Sequence, residues 1–139
     1  MILVIRISGA VDLSSRVEET LFRMRLRRKY SAILVKPSVE NLKVLRKMRD
    51  FVAFGEITPE NLVKLIEKRA KPISSKDKID ASKIIKEIEK KKLSELGIKP
   101  FFRLHPPRGG IESKRHAGVG RGVLGNNKEK INDLVRRML

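Results

Sequence analysis

The residue types that could carry out chemistry are concentrated between positions 103 and 125. His105 and His116 are the two histidines of the chain, and the chain contains no cysteine. A zinc site needs three or four ligands at short spacings, whereas Glu112 is the only acidic residue between the two histidines. Nucleophilic catalysis needs a nucleophile, a base and a group that holds the base, and the sequence suggests no such set. We therefore predict no metal, no cofactor and no enzymatic activity, and the histidines are either phosphate or base contacts or ordinary exposed residues.

Residues 120–125, GRGVLG, match the GxGxxG pattern of dinucleotide-binding sites letter for letter. Such a site also requires a preceding strand, a surrounding β-α-β unit and an acidic residue about 20 positions later. Here KRHAGV precedes the pattern and the chain ends at Leu139. A P-loop is excluded as well, because Asn126 and Asn127 stand where lysine and a hydroxyl residue are needed. An enzyme with a nicotinamide or nucleotide cofactor is thus a hypothesis that the sequence disfavours.

Residues 104–110, LHPPRGG, place a proline pair, an arginine and a glycine pair in succession. Prolines exclude a helix interior and fix the direction of the chain, and glycines allow conformations closed to other residues. Arginines can bind phosphate oxygens in bidentate fashion. We therefore predict that segment 103–121 binds a phosphate backbone, and the alternative is a solvated flexible loop. The basic residues of this segment are Arg103, Arg108, Lys114, Arg115 and Arg121.

A second basic run, RMRLRRK at 23–29, is predicted at the end of the first helix. Cations there interact favourably with the helix dipole, which accounts for one or two of them. Five exceed that need. We predict a second contact surface formed by Arg23, Arg25, Arg27, Arg28 and Lys29.

The net charge indicates a polyanionic partner. Lys and Arg total 33 against 16 acidic residues, which gives +17, and each of 1–59, 60–99 and 100–139 is basic. A charge of this size opposes compaction unless a partner neutralises it. No apolar run approaches the roughly 20 residues of a membrane-spanning helix, and the absence of cysteine fits an intracellular protein. With five Phe and one Tyr, the sequence favours recognition of folded RNA through phosphates more than through bases.

The hydrophobic pattern predicts a β-α-β-α-β core over residues 1–57. Strands are expected at 2–8, 31–36 and 51–57, a helix at 15–28 capped by Ser15, and a second helix capped by Ser38. Gly55 in the third strand indicates a bulge or a close approach. Local connection rules alone favour right-handed parallel crossovers between these strands.

Three further parts are expected after residue 57. A helical extension, 58–99, has one helix from Thr58-Pro59-Glu60 to Arg69 and another near 80–96, with a polar connector at 71–78 between them. A basic Gly- and Pro-rich RNA-binding part, 100–125, begins with a short strand at 101–104 and continues as an extended loop over 105–125. A C-terminal helix, 126–139, packs on the core through Ile131, Leu134, Val135 and Met138.

Three motifs together resemble the L-thirty family of large-subunit ribosomal proteins in its archaeal form, whose eukaryotic relatives are called L-seven. They are FVAFGEIT at 51–58, RLHPPRGG at 103–110 and GNNKEKINDLVRRM at 125–138. The resemblance implies an α+β, ferredoxin-like core with a three-stranded antiparallel sheet and two helices on one face, in place of parallel crossovers. A helical and loop extension completes the chain.

The resemblance also implies a function, which is to bind and stabilise large-subunit ribosomal RNA near the 5S RNA, without catalysis. Neighbouring ribosomal proteins would be further partners, with no membrane and no small-molecule substrate, and the protein would be cytoplasmic and ribosome-bound. The alternative is a non-ribosomal RNA- or DNA-binding accessory protein without a fixed site. The residues expected to lie against RNA are Arg103, His105, Arg108, Gly109, Gly110, Lys114, Arg115 and Arg121, with His116 between the last two.

Overall fold

A computed structural model describes residues 1–9, 13–74, 76, 78–111, 113–116 and 122–139. Strands and helices alternate over the first half of the described chain, and a short 3-10 helix (Lys128–Lys130) precedes the last helix. The strands are β1 (Ile2–Arg6), β2 (Ser31–Val35), β3 (Val52–Glu56), β4 (Phe102–Arg103), β5 (Ser113–His116) and β6 (Gly122–Asn126). The helices are α1 (Ser15–Arg23), α2 (Val39–Lys47), α3 (Pro59–Arg69), α4 (Ala81–Glu87) and α5 (Ile131–Met138).

The strands pair in the order β4-β2-β1-β3-β6-β5. β1 is central and runs antiparallel to both β2 and β3, so the antiparallel arrangement implied by the resemblance is confirmed and the parallel crossovers are wrong. The expected number of three strands is also wrong. β4 joins β2 antiparallel, β6 joins β3 parallel, and β5 pairs with the outer edge of β6. All three added strands come from residues beyond 100, which the β-α-β-α-β pattern does not include.

Both faces of the sheet are covered by helices. Successive residues of a strand point to opposite faces, and β1 is buried along its whole length. Ile2 and Val4 pack with residues of α1 and α2, whereas Leu3 and Ile5 pack with residues of α3, α4 and α5. The two helices expected on one face are present, but the extension provides a second helical layer on the other face.

The first helix ends earlier than expected, at Arg23 instead of residue 28. The amide of Leu26 donates to the carbonyl of Leu21 at 2.9 Å, and the amide of Arg25 donates to Phe22 at 3.0 Å. These two bonds, with Arg25 at a φ of 62°, form a Schellman motif. The chain turns because the motif buries Leu26 against Leu21 in the core. The N-cap also differs, since Ser14 and not Ser15 accepts the bond from Val17.

The helix expected at 80–96 ends at Glu87. Turns follow it, and a second Schellman motif closes them with Gly97 at a φ of 84° and Ile98 bonded to the Leu93 carbonyl at 3.2 Å. Leu93 and Ile98 are both buried in the same hydrophobic cluster of the core. A continuous helix through Lys90, Lys91 and Lys92 would not bury these two side chains in the same way.

The extended loop expected over 105–125 is partly wrong, because residues 113–116 and 122–126 form β5 and β6. β6 pairs with β3 through Ala53 opposite Gly125 and Phe54 opposite Asn126, and Leu124 is buried in the core. Because glycines flank Val123-Leu124, this short apolar pair did not indicate a strand in the sequence.

The C-terminal helix is fixed to the core by a close approach and by a polar network. A Cβ on Gly55 would collide with the carbonyl oxygen of Lys128 and lie 2.9 Å from Ile131 Cγ2, so the close approach expected at this glycine is confirmed. Asn132 is buried and makes four hydrogen bonds, which is the full capacity of its amide. It accepts from the Thr58 amide and Asn61 Nδ2 and donates to the carbonyls of Glu56 and Glu129.

Candidate nucleic-acid interface

The turn between α1 and β2, residues 25–30, presents three exposed arginines, Arg25, Arg27 and Arg28. We call it the arginine turn. Only Arg23 of the predicted basic run belongs to the helix, where it is exposed and pairs with Glu19 at 2.5 Å. Lys29 lies 5.1 Å from the centre of the Tyr30 ring. The basic run is therefore an irregular loop anchored by the buried Leu26, and not a helix end as expected.

Arg6 holds the arginine turn from beneath. Its side chain is buried, and its Nη1 donates to the Leu26 carbonyl at 2.8 Å while its Nε donates to the Ser8 carbonyl at 2.9 Å. Burial lowers the pKa of Arg6, and the negative charge of Glu18 opposes that shift. Arg6 was not predicted as part of a site from the sequence. The available signal was a charged side chain inside the apolar strand ILVIR, because arginine is seldom buried without hydrogen-bond partners.

β4 brings Arg103 to the arginine turn. It pairs with the first residues of β2, with Ser31 opposite Arg103, and the Leu104 amide donates to the Tyr30 carbonyl at 3.1 Å. A cavity of about 210 Å³ opens at this junction, which we call the arginine pocket. Arg103 of the first predicted surface thus lies beside three arginines of the second, which stand 75 to 78 residues earlier in the chain. The pocket is lined by Arg25, Arg27, Arg28, Ser31, Phe101 and Arg103.

The arginine pocket has no negative charge in its lining. Within the described part of the chain, the ion pairs join Arg23 to Glu19, Lys91 to Glu87 and Arg136 to Asp133, and none involves an arginine of the pocket. Four uncompensated guanidinium groups around one concavity create a positive potential that attracts anions. The planar guanidinium also suits phosphate oxygens in particular.

A wider groove of about 510 Å³ continues from the arginine pocket, and Arg25 lines both. Its walls are β2 with the following Lys36 and the turn after α4, which contributes Lys91 and Lys92. We call it the lysine groove. The helical extension therefore adds basic side chains to the same surface.

The LHPPRGG segment lies against the C-terminal end of α5. The His105 amide donates to Met138 and the Arg108 amide to Arg137, both at 3.0 Å, and Arg137 Nη1 donates to the Gly110 carbonyl at 3.1 Å. The Gly110 amide closes a turn onto Pro107 at 3.0 Å. Gly109, at a φ of 79°, occupies the third position of that turn, which favours glycine. His105, Arg108 and both glycines are exposed but do not line the arginine pocket.

The remaining predicted residues are separated from Arg103 by the sheet. Lys114, Arg115 and His116 belong to β5, and four strands lie between β5 and β4 in the strand order. Arg121 lies outside the described residues. Arg103 and residues 114–116 are therefore not presented together by one loop as expected, because β4 and β5 form opposite edges of the sheet.

The described residues also bear on metal ions and membranes as partners. They contain no group of three or more His, Cys, Asp or Glu side chains that could hold a metal ion. No helix among them is both long enough and apolar enough to cross a membrane.

The fold and the surface define a class, which is a small, strongly basic α+β protein with exposed cations around a pocket at a sheet edge. Comparison with known proteins is more specific. A protein of Aeropyrum pernix is 37% identical over 155 residues, covering 98% of this chain and 97% of that protein. One of Methanobrevibacter smithii is 37% identical over 152 residues, covering 100% of both, and one of Nanoarchaeum equitans is 36% identical over 153 residues, covering 98% and 97%.

All three relatives are named large ribosomal subunit protein uL30. This chain belongs to the uL30 family of large-subunit ribosomal proteins, which confirms the family that the motifs suggested. These relatives are ribosomal proteins and not enzymes. No family model matches the chain.

Proposed function

We propose that this protein is a structural constituent of the large ribosomal subunit that binds and stabilises folded ribosomal RNA in the region of the 5S RNA. The observation that carries the RNA-binding part is the arginine pocket, where four exposed arginines from two distant segments meet. The names of the relatives support the ribosomal setting. There the partners are ribosomal RNA and neighbouring ribosomal proteins, and the compartment is the cytoplasm.

Neutralisation of phosphates would supply most of the binding free energy. Cations that contact phosphates release condensed counterions, so the affinity of a protein with a net charge of +17 should fall steeply with salt. The arginines of the pocket are suited to this because they are exposed and have no acidic partner in the described part of the chain. RNA would bind them without first breaking an ion pair.

A competition titration tests the function. Labelled large-subunit ribosomal RNA is the ligand, and transfer RNA and duplex DNA are the competitors, at two salt concentrations. We expect ribosomal RNA to remain bound at the higher salt while the competitors fail to displace it. If all three nucleic acids compete equally, the protein is a general polyanion binder without a fixed site, and the proposal is wrong.

A pair of double variants tests whether the arginine pocket is the contact. We expect Arg27→Ala with Arg103→Ala to weaken ribosomal RNA binding at least tenfold, about 1.4 kcal/mol, because charge-assisted contacts to phosphate are lost. The control is Lys64→Ala with Lys68→Ala, which removes the same charge from exposed positions of α3 on the other face of the sheet. An equal loss of affinity in both double variants would show that total charge, and not the pocket, determines binding.

A further inference from the structure

The arginine pocket contains more than a phosphate site needs. Phosphate oxygens require donors, and four arginines supply them. Phe101 and Ser31 line the same pocket, and neither an aromatic ring nor a serine hydroxyl is required to hold a backbone phosphate on the outside of a helix. Their presence indicates that the ligand has an apolar, planar part as well as a charged part.

Two aromatic rings lie beside these arginines, and of the two only Phe101 lines the pocket. The Arg27 guanidinium carbon lies 4.2 Å from the centre of the Phe22 ring, which is a close cation–π contact. The Arg103 guanidinium carbon lies 5.9 Å from the centre of the Phe101 ring, close to the outer limit of such contacts. Phe101 is half-buried and packs against the core of the α1 and α2 face, which gives the ring a rigid support.

Ser31 adds a polar group inside the cavity. The residue is 4% exposed, and within the described part of the chain its hydroxyl makes no hydrogen bond. The hydroxyl is not among the enclosed polar atoms that lack a partner in the described part of the chain, so it opens into the pocket, where a ligand can form a hydrogen bond with it. The backbone of Ser31 is fixed by pairing of β2 with β4, so the hydroxyl is held in place.

Size limits the ligand to a small group. The cavity of about 210 Å³ is smaller than the roughly 300–1,000 Å³ typical of sites for whole small molecules. One nucleobase with its flanking phosphates at the rim satisfies the size, the ring, the hydroxyl and the cations together. In RNA such a base is found in bulges and loops, where it is unstacked and can be turned out.

We propose that the arginine pocket takes one unpaired base of the RNA, stacked on Phe101 and hydrogen-bonded by Ser31, while the arginines bind the adjacent phosphates. The proposal rests on the RNA-binding function proposed above, and it names the feature of the RNA that this site selects, which is an unpaired base. It also adds a base contact to the recognition through phosphates that the low aromatic content favours.

Two RNA hairpins of equal length test the proposal, one perfectly paired and one with a single unpaired 2-aminopurine opposite no base. We expect the full-length protein to bind the bulged hairpin roughly five- to a hundred-fold more tightly, the range expected of one base–aromatic stack. We also expect the 2-aminopurine fluorescence to fall on binding, because the base becomes stacked.

The variant Phe101→Leu keeps an apolar side chain and removes the ring face. We expect it to lose the preference for the bulged hairpin and the change in fluorescence, and Phe101→Trp to retain both. The matched control is Phe22→Leu, which removes the other arginine-covered ring but does not line the pocket. Ser31→Ala, a small change that preserves the fold, should lower the preference by a smaller factor.

The outcomes separate this proposal from the function on which it rests. If the protein selects ribosomal RNA in the competition titration but binds both hairpins equally, the base pocket is wrong and the function stands. If Phe22→Leu abolishes the preference as fully as Phe101→Leu does, the base does not stack on Phe101. If ribosomal RNA shows no advantage over duplex DNA, the function itself is wrong, whatever the hairpins show.

Discussion

A guanidinium buried at the end of β1 fixes the path of the arginine turn. Arg6 donates to three backbone carbonyls, those of Ser8, Leu26 and Gly9. A buried charge without such bonds would cost several kcal/mol, so the carbonyls and the guanidinium stabilise each other in one arrangement. The exposed arginines of the turn are thereby carried on a rigid support, which lowers the entropy that they lose when RNA binds.

Arg25 occupies a backbone conformation that favours glycine. Its φ of 62° places it at the position after the helix end in the Schellman motif. We expect Arg25→Gly to raise the free energy of unfolding by up to about 1 kcal/mol, because it relieves strain in the left-handed region. The same change should weaken RNA binding, because a guanidinium of the arginine pocket is lost. Urea denaturation and an RNA titration measure the two effects.

Arg25→Ala is the control for that prediction. It removes the same charge but leaves a side chain in the left-handed conformation, so binding should weaken equally while stability does not rise. A gain in stability with both variants would attribute the effect to charge repulsion among the arginines and not to backbone strain.

Residue types revealed the cations of the interface but not the side chains that support them. Arg25, Arg27, Arg28 and Arg103 were singled out from local charge, and the structure brings them together. Phe101 and Ser31 were missed, because their position beside the arginines depends on pairing between β2 and β4, which are separated by almost 70 residues. Spacing along a chain carries no information about such a contact.

At the scale of elements, the hydrophobic pattern correctly predicted the strands and helices that depend on local periodicity. β1, β2 and β3 lie within the expected ranges, and α3 spans the residues expected from Thr58 to Arg69. The errors fall where an element depends on a distant partner. α1 ends early because Leu26 turns back into the core, the chain after α4 forms turns that bury Leu93 and Ile98, and β6 pairs with an edge of β3.

The contact between β3 and the 3-10 helix gives a prediction at this scale. We expect Gly55→Ala to lower the free energy of unfolding by about 1–3 kcal/mol, because the added methyl collides with the Lys128 carbonyl and Ile131. Urea denaturation measures this. Gly9→Ala is the matched control, since no atom of the described residues lies within 4 Å of a Cβ there. Equal stability of the two variants would mean that the C-terminal helix shifts at no cost, and the close approach would not constrain the sequence.

At the scale of the molecule, positive charge is present at both edges of the sheet and on the extension. The arginine pocket lies beside β4, the basic residues Lys114 and Arg115 belong to β5 at the opposite edge, and Lys91 and Lys92 line the lysine groove. The net charge of +17 predicted a polyanionic partner from composition alone. The strand order determines which cations share a surface, and the strand order cannot be derived from composition.

If the lysine groove extends the RNA contact, its lysines should contribute to the salt dependence of binding. We expect Lys91→Gln with Lys92→Gln to reduce the slope of log affinity against log salt by roughly one to two, because each lysine that contacts a phosphate accounts for somewhat less than one unit. Lys91 also pairs with Glu87 at 3.5 Å, so its share should be the smaller one. The control is Lys83→Gln with Lys86→Gln, which removes the same charge from exposed positions of α4 that do not line the groove. An unchanged slope in the first variant, or an equal change in both, would confine the RNA contact to the arginine pocket and leave the extension as a support for the sheet.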